Sequence, residues 1–142
     1  MRLADIEDVP LILDIMRHED VAPFIGIEPD ADRLMESMGA NHFFLVDDGG
    51  YVHVEPMSDS ESMLHAAALP EVRGRPMIYA GRAVIELAFM CGIRRVNAWI
   101  HKDNHRAAVY ANVCGLRRVA DRTDYYPDNY NSNGNWYALE AV

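Results

Sequence analysis

The spacing of apolar residues along the chain predicts two helices near its beginning, after a short strand over Met1–Ala4. The first helix opens at Asp5, and the second follows Asp30 and ends at Gly39. In both helices apolar residues recur at intervals of three and four positions. These residues are Val9, Ile12, Leu13 and Met16 in the first helix, and Ala31, Leu34, Met35 and Met38 in the second. Each helix therefore has one apolar face that can cover a sheet.

Three extended segments follow in the middle of the chain. Phe43–Val46 and Tyr51–Glu55 flank Asp47–Gly50, whose aspartates and glycines suit the tight turn of a hairpin. Ser60–Leu69 is a third extended run, and it ends at Pro70. These segments predict three consecutive strands.

The next part of the chain predicts a helix and another strand. The helix covers Tyr79–Cys91 and stops at Gly92. Its apolar face consists of Val84, Leu87, Ala88 and Cys91. The strand after it alternates polar residues with Val96, Ala98 and Ile100, as a half-buried strand does. A strand, a helix and a strand in this order predict a crossover unit.

One helix and two strands complete the prediction. Asp103 or Asn104 caps the helix, and Leu116–Ala120 and Trp136–Val142 are the strands. A loop of turn-forming residues, Pro127–Gly134, separates the two strands. The resulting order, β-α-α-β-β-β-α-β-α-β-β, predicts an α/β (α+β) protein with one mixed sheet and helices on both faces.

Length and composition predict one domain. The chain has 142 residues, half of them apolar, so we expect a single domain over residues 1–142 with a sizeable core. Its longest apolar stretch, Ala83–Ile93, is interrupted by Glu86 and is far shorter than the roughly 20 residues of a membrane span. The first residues are acidic, unlike those of a secretory signal. We expect a cytoplasmic protein with no membrane partner.

The cysteines and histidines do not have the spacing of metal ligands. Cys91 and Cys114 both fall in predicted helices, and we expect both to be core thiols instead of a disulfide. None of the six histidines is spaced with cysteines or carboxylates as in a metal site. The sequence therefore predicts no metal cofactor.

The charge is unevenly distributed along the chain. The formal net charge of −9 argues against a nucleic-acid partner, since binding to phosphate backbones needs clustered Lys and Arg. Residues 1–72 contain 16 acids and three bases, whereas residues 73–142 contain six acids and ten bases. The second half could hold an anionic small molecule while the first faces something cationic, although solubility alone can also produce such a split.

Three arginines near the start of the Tyr79–Cys91 helix suggest an anion site. The free N–H groups at a helix start favour phosphate, and Arg73, Arg75 and Arg82 would add positive charge there. The alternative is that these arginines are simply solvated.

Two motifs resemble those of a known family. Leu69–Arg75, followed by Ala80–Ala83, resembles the acetyl-CoA motif of the GNAT N-acetyltransferase superfamily. Asn104–Leu116 is similar to the second helical signature of that superfamily, with its Asn, Arg-Ala, Tyr and Gly. Asp124–Pro127 resembles the tail of the branch that acetylates ribosomal proteins and protein N-termini. With the opening strand and helix, the resemblance covers nearly the whole chain.

The resemblance implies a fold and an activity. The fold is a mixed, mostly antiparallel sheet of six to seven strands. The activity is transfer of an acetyl group from acetyl-CoA, as co-substrate, to a primary amine by direct attack. The acceptor would be a small-molecule or peptide amine, and the family also allows a homodimer.

The resemblance also implies which residues hold acetyl-CoA. Main-chain groups at Ala68 and Leu69 would hold the pantetheine arm. Residues of the turn and of the helix start would hold the phosphates, namely Arg73, Gly74, Arg75, Ala80, Gly81 and Arg82. Asn104 either contacts the coenzyme or only caps its helix.

The phosphate turn departs from the pattern of the family. The turn after Arg73 is about three residues longer than usual, and Pro76 and Ile78 fall where small residues normally let the backbone close on the pyrophosphate. Pro76 also contributes no N–H donor. If Gly81 is the last glycine of the motif, the longer turn could still close; if it is not, affinity for the coenzyme is weak or absent. The alternative to an enzyme is therefore a catalytically degenerate GNAT-like binding or structural module.

Three residues are candidates for the chemistry. Tyr110 stands where the resemblance places the acid that protonates the departing thiolate, although a helical tyrosine can also serve only as core packing. Glu61 and His65 are four apart in one strand and share a face, and His65 has the more suitable intrinsic pKa to take the proton of the amine. The alternative is that His65 is only a hydrogen-bonded residue of the strand. His53 and Glu55 are further candidates for this base.

Overall fold

A computed structural model describes residues 1–25, 28–120 and 133–142. Over these residues the chain forms four helices and one sheet of seven strands. The helices are α1 (Val9–Arg17), α2 (Ala31–Gly39), α3 (Arg75–Met90) and α4 (His105–Val113). The strands are β1 (Arg2–Leu3), β2 (Phe43–Val46), β3 (Gly50–Pro56), β4 (Glu61–Ala68), β5 (Arg95–His101), β6 (Arg117–Val119) and β7 (Gly134–Glu140). The predicted order of elements is confirmed, while Asp124–Pro127 and most of the loop before β7 lie outside the described residues.

The sheet is mixed and mostly antiparallel, as the sequence predicts. Its strands lie in the order β1-β2-β3-β4-β5-β7-β6, and β4 and β5 are the parallel pair that α3 connects. One core cluster joins α1 and α2 to Phe44, Val46 and Tyr51. The other joins α3 and α4 to Val52, Leu64 and Val96. Since neighbouring residues of a strand point to opposite faces, the two helix pairs cover the two faces of the sheet.

The start of α3 differs from the prediction. The helix begins at Arg75, four residues before Tyr79, because Gly74 takes a φ of 115° and Pro76 fits the first turn of a helix. The residues that α3 buries also differ from the predicted apolar face. Its buried residues are Met77, Ala80, Gly81, Val84 and Ile85.

The prediction that both cysteines are core thiols is half right. Cys114 is buried, but Cys91 is exposed because it follows the last residue of α3, beyond the part of the helix that covers the sheet. Leu87, predicted on the apolar face of the same helix, is likewise exposed. Within residues 1–25, 28–120 and 133–142, no helix has the length and apolar character to cross a membrane.

The parallel strands β4 and β5 pair over only a short distance. Glu61, Ser62 and Met63 lie opposite residues 95 to 97, and the remainder of β4 pairs with β3 alone. Beyond residue 97, β5 continues along β7. The sheet therefore opens between Leu64–Ala68 and Ala98–His101.

Asn97 joins the two strands at the base of this opening. Its side chain is fully buried. The amide Nδ2 donates to the Ser62 carbonyl and to Glu61 Oε1, at 3.4 Å in each case. The amide oxygen accepts from Arg95 Nε at 2.9 Å. Asn97 thus fixes the place where β4 and β5 separate.

We expect Asn97→Ala to lower the free energy of unfolding by about 1–3 kcal/mol, because the change leaves buried polar groups without their hydrogen-bond partners. Urea denaturation measures this change. Asn112→Ala, at an exposed position of α4, is the matched control and should change the value by less than about 0.5 kcal/mol. Equal effects of the two substitutions would contradict the role of Asn97.

Candidate active site

Two cavities meet at the opening between β4 and β5. We call them the α2-side cavity, of about 620 Å³, and the α3-side cavity, of about 600 Å³. Both volumes are typical of sites for small molecules, which run from ~300 to ~1,000 Å³. Six residues line both cavities: Phe24, Ile25, Ala66, Asn104, Ala107 and Tyr110. A ligand in one cavity can therefore touch a ligand in the other.

The α3-side cavity lies between the end of β4, the first turn of α3 and one side of α4. Ala66, Ala67 and Ala68 form a wall of small side chains. Arg73 and Arg106 also line the cavity and bring positive charge to it. The first turn of α3 adds N–H groups that have no partner within the helix, although Pro76 supplies none. This cavity suits a large anionic ligand.

Arg73 reaches back to the end of β4. Its Nε donates to the Ala68 carbonyl at 3.0 Å. The N–H of Leu69, in the same peptide group, donates to Gly49 on the β3 side at 2.7 Å. Since the C=O and N–H of a trans peptide point in opposite directions, the Ala68 carbonyl points away from β3, toward the opening. Arg73 thus covers a main-chain acceptor in the wall of the cavity.

The nine predicted cofactor residues divide into two groups. Four of them line the α3-side cavity: Ala68, Arg73, Gly74 and Asn104. Five do not: Leu69, Arg75, Ala80, Gly81 and Arg82. Leu69 packs against the core under α1 and α2. Arg82 donates to the Val113 carbonyl through Nε and Nη2, and so ties α3 to α4.

Ala80 and Gly81 lie inside α3, beyond its first turn, and neither lines the α3-side cavity, so the structure does not bring them to the predicted phosphate site. Both are buried. A Cβ on Gly81 would overlap the Tyr110 hydroxyl, so this glycine allows close packing of α3 and α4. The turn is not lengthened, because Arg75, Pro76 and Met77 are already helical. Pro76 and Ile78 therefore occupy the positions of small residues in the motif.

Asn104 caps α4, as one of its two interpretations predicts. Its side-chain oxygen accepts from the Ala107 N–H at 3.2 Å. The residue also lines both cavities.

Tyr110 lies where the two cavities meet. Its hydroxyl donates to the Met77 carbonyl in the first turn of α3 at 2.8 Å. Burial raises the pKa of Tyr110, so the phenol keeps its proton at neutral pH. The hydroxyl is thus a proton donor held beside the opening.

The α2-side cavity contains three histidines and a glutamate, which we call the histidine row: His42, His53, His65 and Glu55. His42 Nδ1 and His53 Nε2 are 2.8 Å apart, and His65 Nε2 is 2.8 Å from Glu55 Oε2. The His53 ring stacks on Phe44, with ring centroids 4.0 Å apart, and on His65, with centroids 4.9 Å apart. The row crosses β3 and β4 because His53 and His65 are opposite each other in the pairing.

The histidine row shifts the charge states of its members. Desolvation, together with smaller contributions from His65 and His42, lowers the pKa of His53 to about 2, so His53 is neutral at neutral pH. Desolvation also lowers the pKa of His42. The hydrogen bond from His65 lowers the pKa of Glu55, which is therefore a carboxylate.

Glu61 and His65, the two predicted candidates for the base, both lie in β4, but only His65 lines the α2-side cavity. Glu61 lies at the base of the opening, where its Oε1 is 3.6 Å from Arg95 Nε, and it does not line the cavity. Glu55, from the neighbouring strand, is the carboxylate that meets His65. Glu55 is a further predicted candidate for the base, but the register of β3 and β4 is what brings it to His65.

The two cavities differ in charge. The α2-side cavity is lined by the acids Glu28, Asp30, Glu36 and Glu55 and by Arg33. The α3-side cavity is lined by Arg73 and Arg106 and by one acid, Asp20. All five of these acids come from the first half of the chain, and both α3-side arginines come from the second. Within the described parts of the chain, no group of three or more possible ligands could hold a metal ion.

Comparison with known proteins identifies the fold. No protein-family model matches the chain, and no curated protein matches it in sequence. Solved structures do match: the aminoglycoside acetyltransferase AAC(6')-Ib, in complex with paromomycin and acetyl-CoA, aligns with a TM-score of 0.73 over 98% of this chain and 91% of its own, at 16% identity. An acetyltransferase of the GNAT family from Bacillus anthracis aligns with a TM-score of 0.73 over 99% and 95%, at 17% identity.

The chain has the GNAT fold. A spermidine N-acetyltransferase from Vibrio cholerae also shares it, with a TM-score of 0.68 over 98% of this chain and 93% of its own, at 13% identity. In this chain the two cavities meet at the opening between the parallel strands β4 and β5.

We expect the free energy of unfolding to fall as the pH drops below about 6.5, because the unfolded chain then protonates His53 and the folded chain does not. Between pH 6.5 and pH 5 the loss from one such histidine is up to about 2 kcal/mol. Urea denaturation at several pH values measures this loss. His53→Phe, which can still stack on Phe44, should flatten the pH dependence.

The matched control is His105→Gln, because His105 is exposed at the start of α4. This variant should keep the pH dependence of the wild type. An unchanged pH dependence in His53→Phe would show that His53 is not held neutral.

Proposed function

We propose that this protein is an acetyl-CoA-dependent N-acetyltransferase that transfers the acetyl group to a primary amine by direct attack. The observation that carries the proposal is the meeting of two cavities at the opening between β4 and β5. One cavity presents arginines and a helix start, and the other presents acids and the histidine row. The similar folds of acetyltransferases, one in complex with acetyl-CoA, support the same interpretation.

The residues of the α3-side cavity fit acetyl-CoA. Arg73, Arg106 and the free N–H groups of the first turn of α3 would bind its phosphates. Ala66, Ala67 and Ala68 leave room for the pantetheine arm beside β4, and the Ala68 carbonyl points toward it. Acetyl-CoA, when bound, supplies an acetyl group that is activated as a thioester.

Residues on the two sides of the opening would move the protons. His65 takes up the proton that the acceptor nitrogen loses as the new nitrogen–carbon bond forms. Tyr110 gives its hydroxyl proton to the sulfur as the carbon–sulfur bond breaks. For this, the Tyr110 hydroxyl turns from the Met77 carbonyl toward the sulfur. The acceptor reacts as the neutral amine, after its ammonium group has lost one proton to solvent. A second proton then passes from the nitrogen to His65 and one from Tyr110 to the sulfur, and proton exchange with solvent restores both side chains. The amine attacks the thioester directly, with no covalent enzyme intermediate.

The acceptor is a small-molecule or peptide amine. Glu28, Asp30 and Glu36 give the α2-side cavity the negative charge that draws in an ammonium group. The similar structures include acetyltransferases named for a polyamine and for aminoglycosides, both of which carry amines.

A second candidate function follows from the phosphate turn. Pro76 removes an N–H donor from the first turn of α3. The Ala68 carbonyl already accepts a hydrogen bond from Arg73 Nε. Both features weaken the binding of a coenzyme. The second candidate is therefore a GNAT-like binding or structural module without catalysis.

We expect acetyl-CoA to stabilise the protein against heat, because a ligand that binds only the folded chain adds about 2.7 kcal/mol at a hundredfold excess over its Kd. A thermal-shift titration measures this effect. Arg106→Ala should weaken the binding, since it removes a positive charge from the wall of the α3-side cavity. Arg94→Ala, an exposed arginine just before β5, is the matched control and should bind like the wild type.

The absence of any thermal shift at millimolar acetyl-CoA would favour the module over the enzyme. If acetyl-CoA binds, release of free thiol in the presence of a panel of primary amines measures the transfer. Tyr110→Phe should then lower kcat much more than it weakens acetyl-CoA binding.

A further inference from the structure

Glu55 and His65 form a hydrogen-bonded pair in the wall of the α2-side cavity. The Glu55 carboxylate accepts from His65 Nε2 at 2.8 Å, which requires the proton of a neutral imidazole to be on Nε2. Both side chains are partly exposed, at 35% for His65 and 29% for Glu55, so the pair faces the cavity and is not sealed in the core. The only ring nitrogen that can still take up a proton is then Nδ1.

We propose that Glu55 is a positioning residue that holds His65 as the Nε2–H tautomer and so makes Nδ1 the atom that accepts the proton of the acceptor amine. The inference rests on the proposed acetyl transfer and adds a residue from a different strand to it. Glu55 acts through His65 and touches neither the acetyl group nor the amine.

The neighbouring rings restrict the orientation of His65. His53 lies directly opposite His65 in the pairing of β3 and β4, and its ring stacks on the His65 ring at 4.9 Å. The Phe44 ring, on β2, stacks on the His53 ring with centroids 4.0 Å apart. His42 Nδ1 lies 2.8 Å from His53 Nε2. Glu55 pairs with Met63, one step diagonally from His65. Stacking sets the plane of the ring, and Glu55 sets its direction within that plane.

The charges of the histidine row favour this arrangement. Because the His65 hydrogen bond lowers the pKa of Glu55, Glu55 is a carboxylate at neutral pH and can only accept. Because His53 is neutral, it carries no charge that would attract the Glu55 carboxylate away from His65.

Other titratable or charged groups line the same cavity at other places. On the α2 side these groups are Glu28, Asp30, Arg33 and Glu36. The sheet side contributes His42, just before β2, together with Tyr51 and His101, and α4 contributes Tyr110. Of the described side chains, Glu55 is the one for which a hydrogen bond to His65 is seen.

Two measurements test the proposal. The first is the ¹⁵N NMR signature of the His65 ring, which distinguishes the two tautomers without acetyl-CoA. We expect the Nε2–H tautomer in the wild type and in Glu55→Gln, whose amide oxygen can still accept, and a mixture of tautomers in Glu55→Ala. The second is kcat with an amine that the wild type acetylates. Glu55→Ala should lower kcat by about tenfold or more, a part of the ~10²–10⁴-fold that general-base catalysis supplies.

The KM for acetyl-CoA should stay within about twofold in Glu55→Ala, because Glu55 does not line the α3-side cavity. Glu55→Gln should retain more activity than Glu55→Ala, since it keeps the hydrogen-bond acceptor. Glu86→Gln, on the exposed face of α3, is the matched control for the loss of one carboxylate and should keep the wild-type kcat.

The outcomes separate this proposal from the function on which it rests. An active wild type whose Glu55→Ala variant keeps both kcat and the tautomer overturns the role of Glu55 and leaves the acetyl transfer standing. The Nδ1–H tautomer in the wild type also overturns that role. A protein with the Nε2–H tautomer that acetylates no amine overturns the proposed function and, with it, the catalytic meaning of the pair.

Discussion

The short pairing of β4 and β5 is the constraint on which the rest of the structure depends. Two parallel strands that paired along their full length would close the sheet, and no ligand could reach from one face to the other. Here the strands pair over residues 61–63 and 95–97, and the buried Asn97 links them at the last of these pairs. Beyond it, β3 holds β4 and β7 holds β5, so the two halves of the sheet remain stable while they separate. The opening is therefore a consequence of how the strands pair, and both cavities depend on it.

The same constraint explains how the two halves of the chain share one site. The first half supplies α1, α2 and the strands β1 to β4, with the acids and the whole histidine row. The second half supplies α3 and α4, with the arginines, and Tyr110 beside the opening. The first half brings four acids to the α2-side cavity, and the second half brings two arginines to the α3-side cavity. Charges of opposite sign at some distance suit a reaction between an anionic coenzyme and a cationic amine. Hydrogen bonds from Arg82 to the Val113 carbonyl hold the two helices of the second half together.

Much of the fold could be predicted from local patterns, because apolar spacing, caps and turn residues act over a few positions. The hairpin at Asp47–Gly50 and the Asn104 cap are examples. The start of α3 could not be predicted in this way, since Pro76 breaks a helical pattern in most contexts and only its place in the first turn makes it compatible with a helix. Because α3 begins at Arg75, Ala80 and Gly81 lie beyond its first turn, away from the N–H groups that have no partner within the helix. The pairing of Glu55 with His65 depends on the register between two strands, which the sequence of either strand alone does not contain.

The central claim is that acetyl-CoA binds along the opening, between the end of β4 and α4. Backbone amide NMR shifts on titration with acetyl-CoA test it most directly, because they locate the ligand residue by residue without any knowledge of the acceptor. We predict the largest changes at Ala66–Ala68, at Gly74, Arg75 and Met77, and at Ala107–Tyr110, with small changes along β1 and β2. Changes confined to other parts of the chain, or no changes at millimolar acetyl-CoA, would contradict this account.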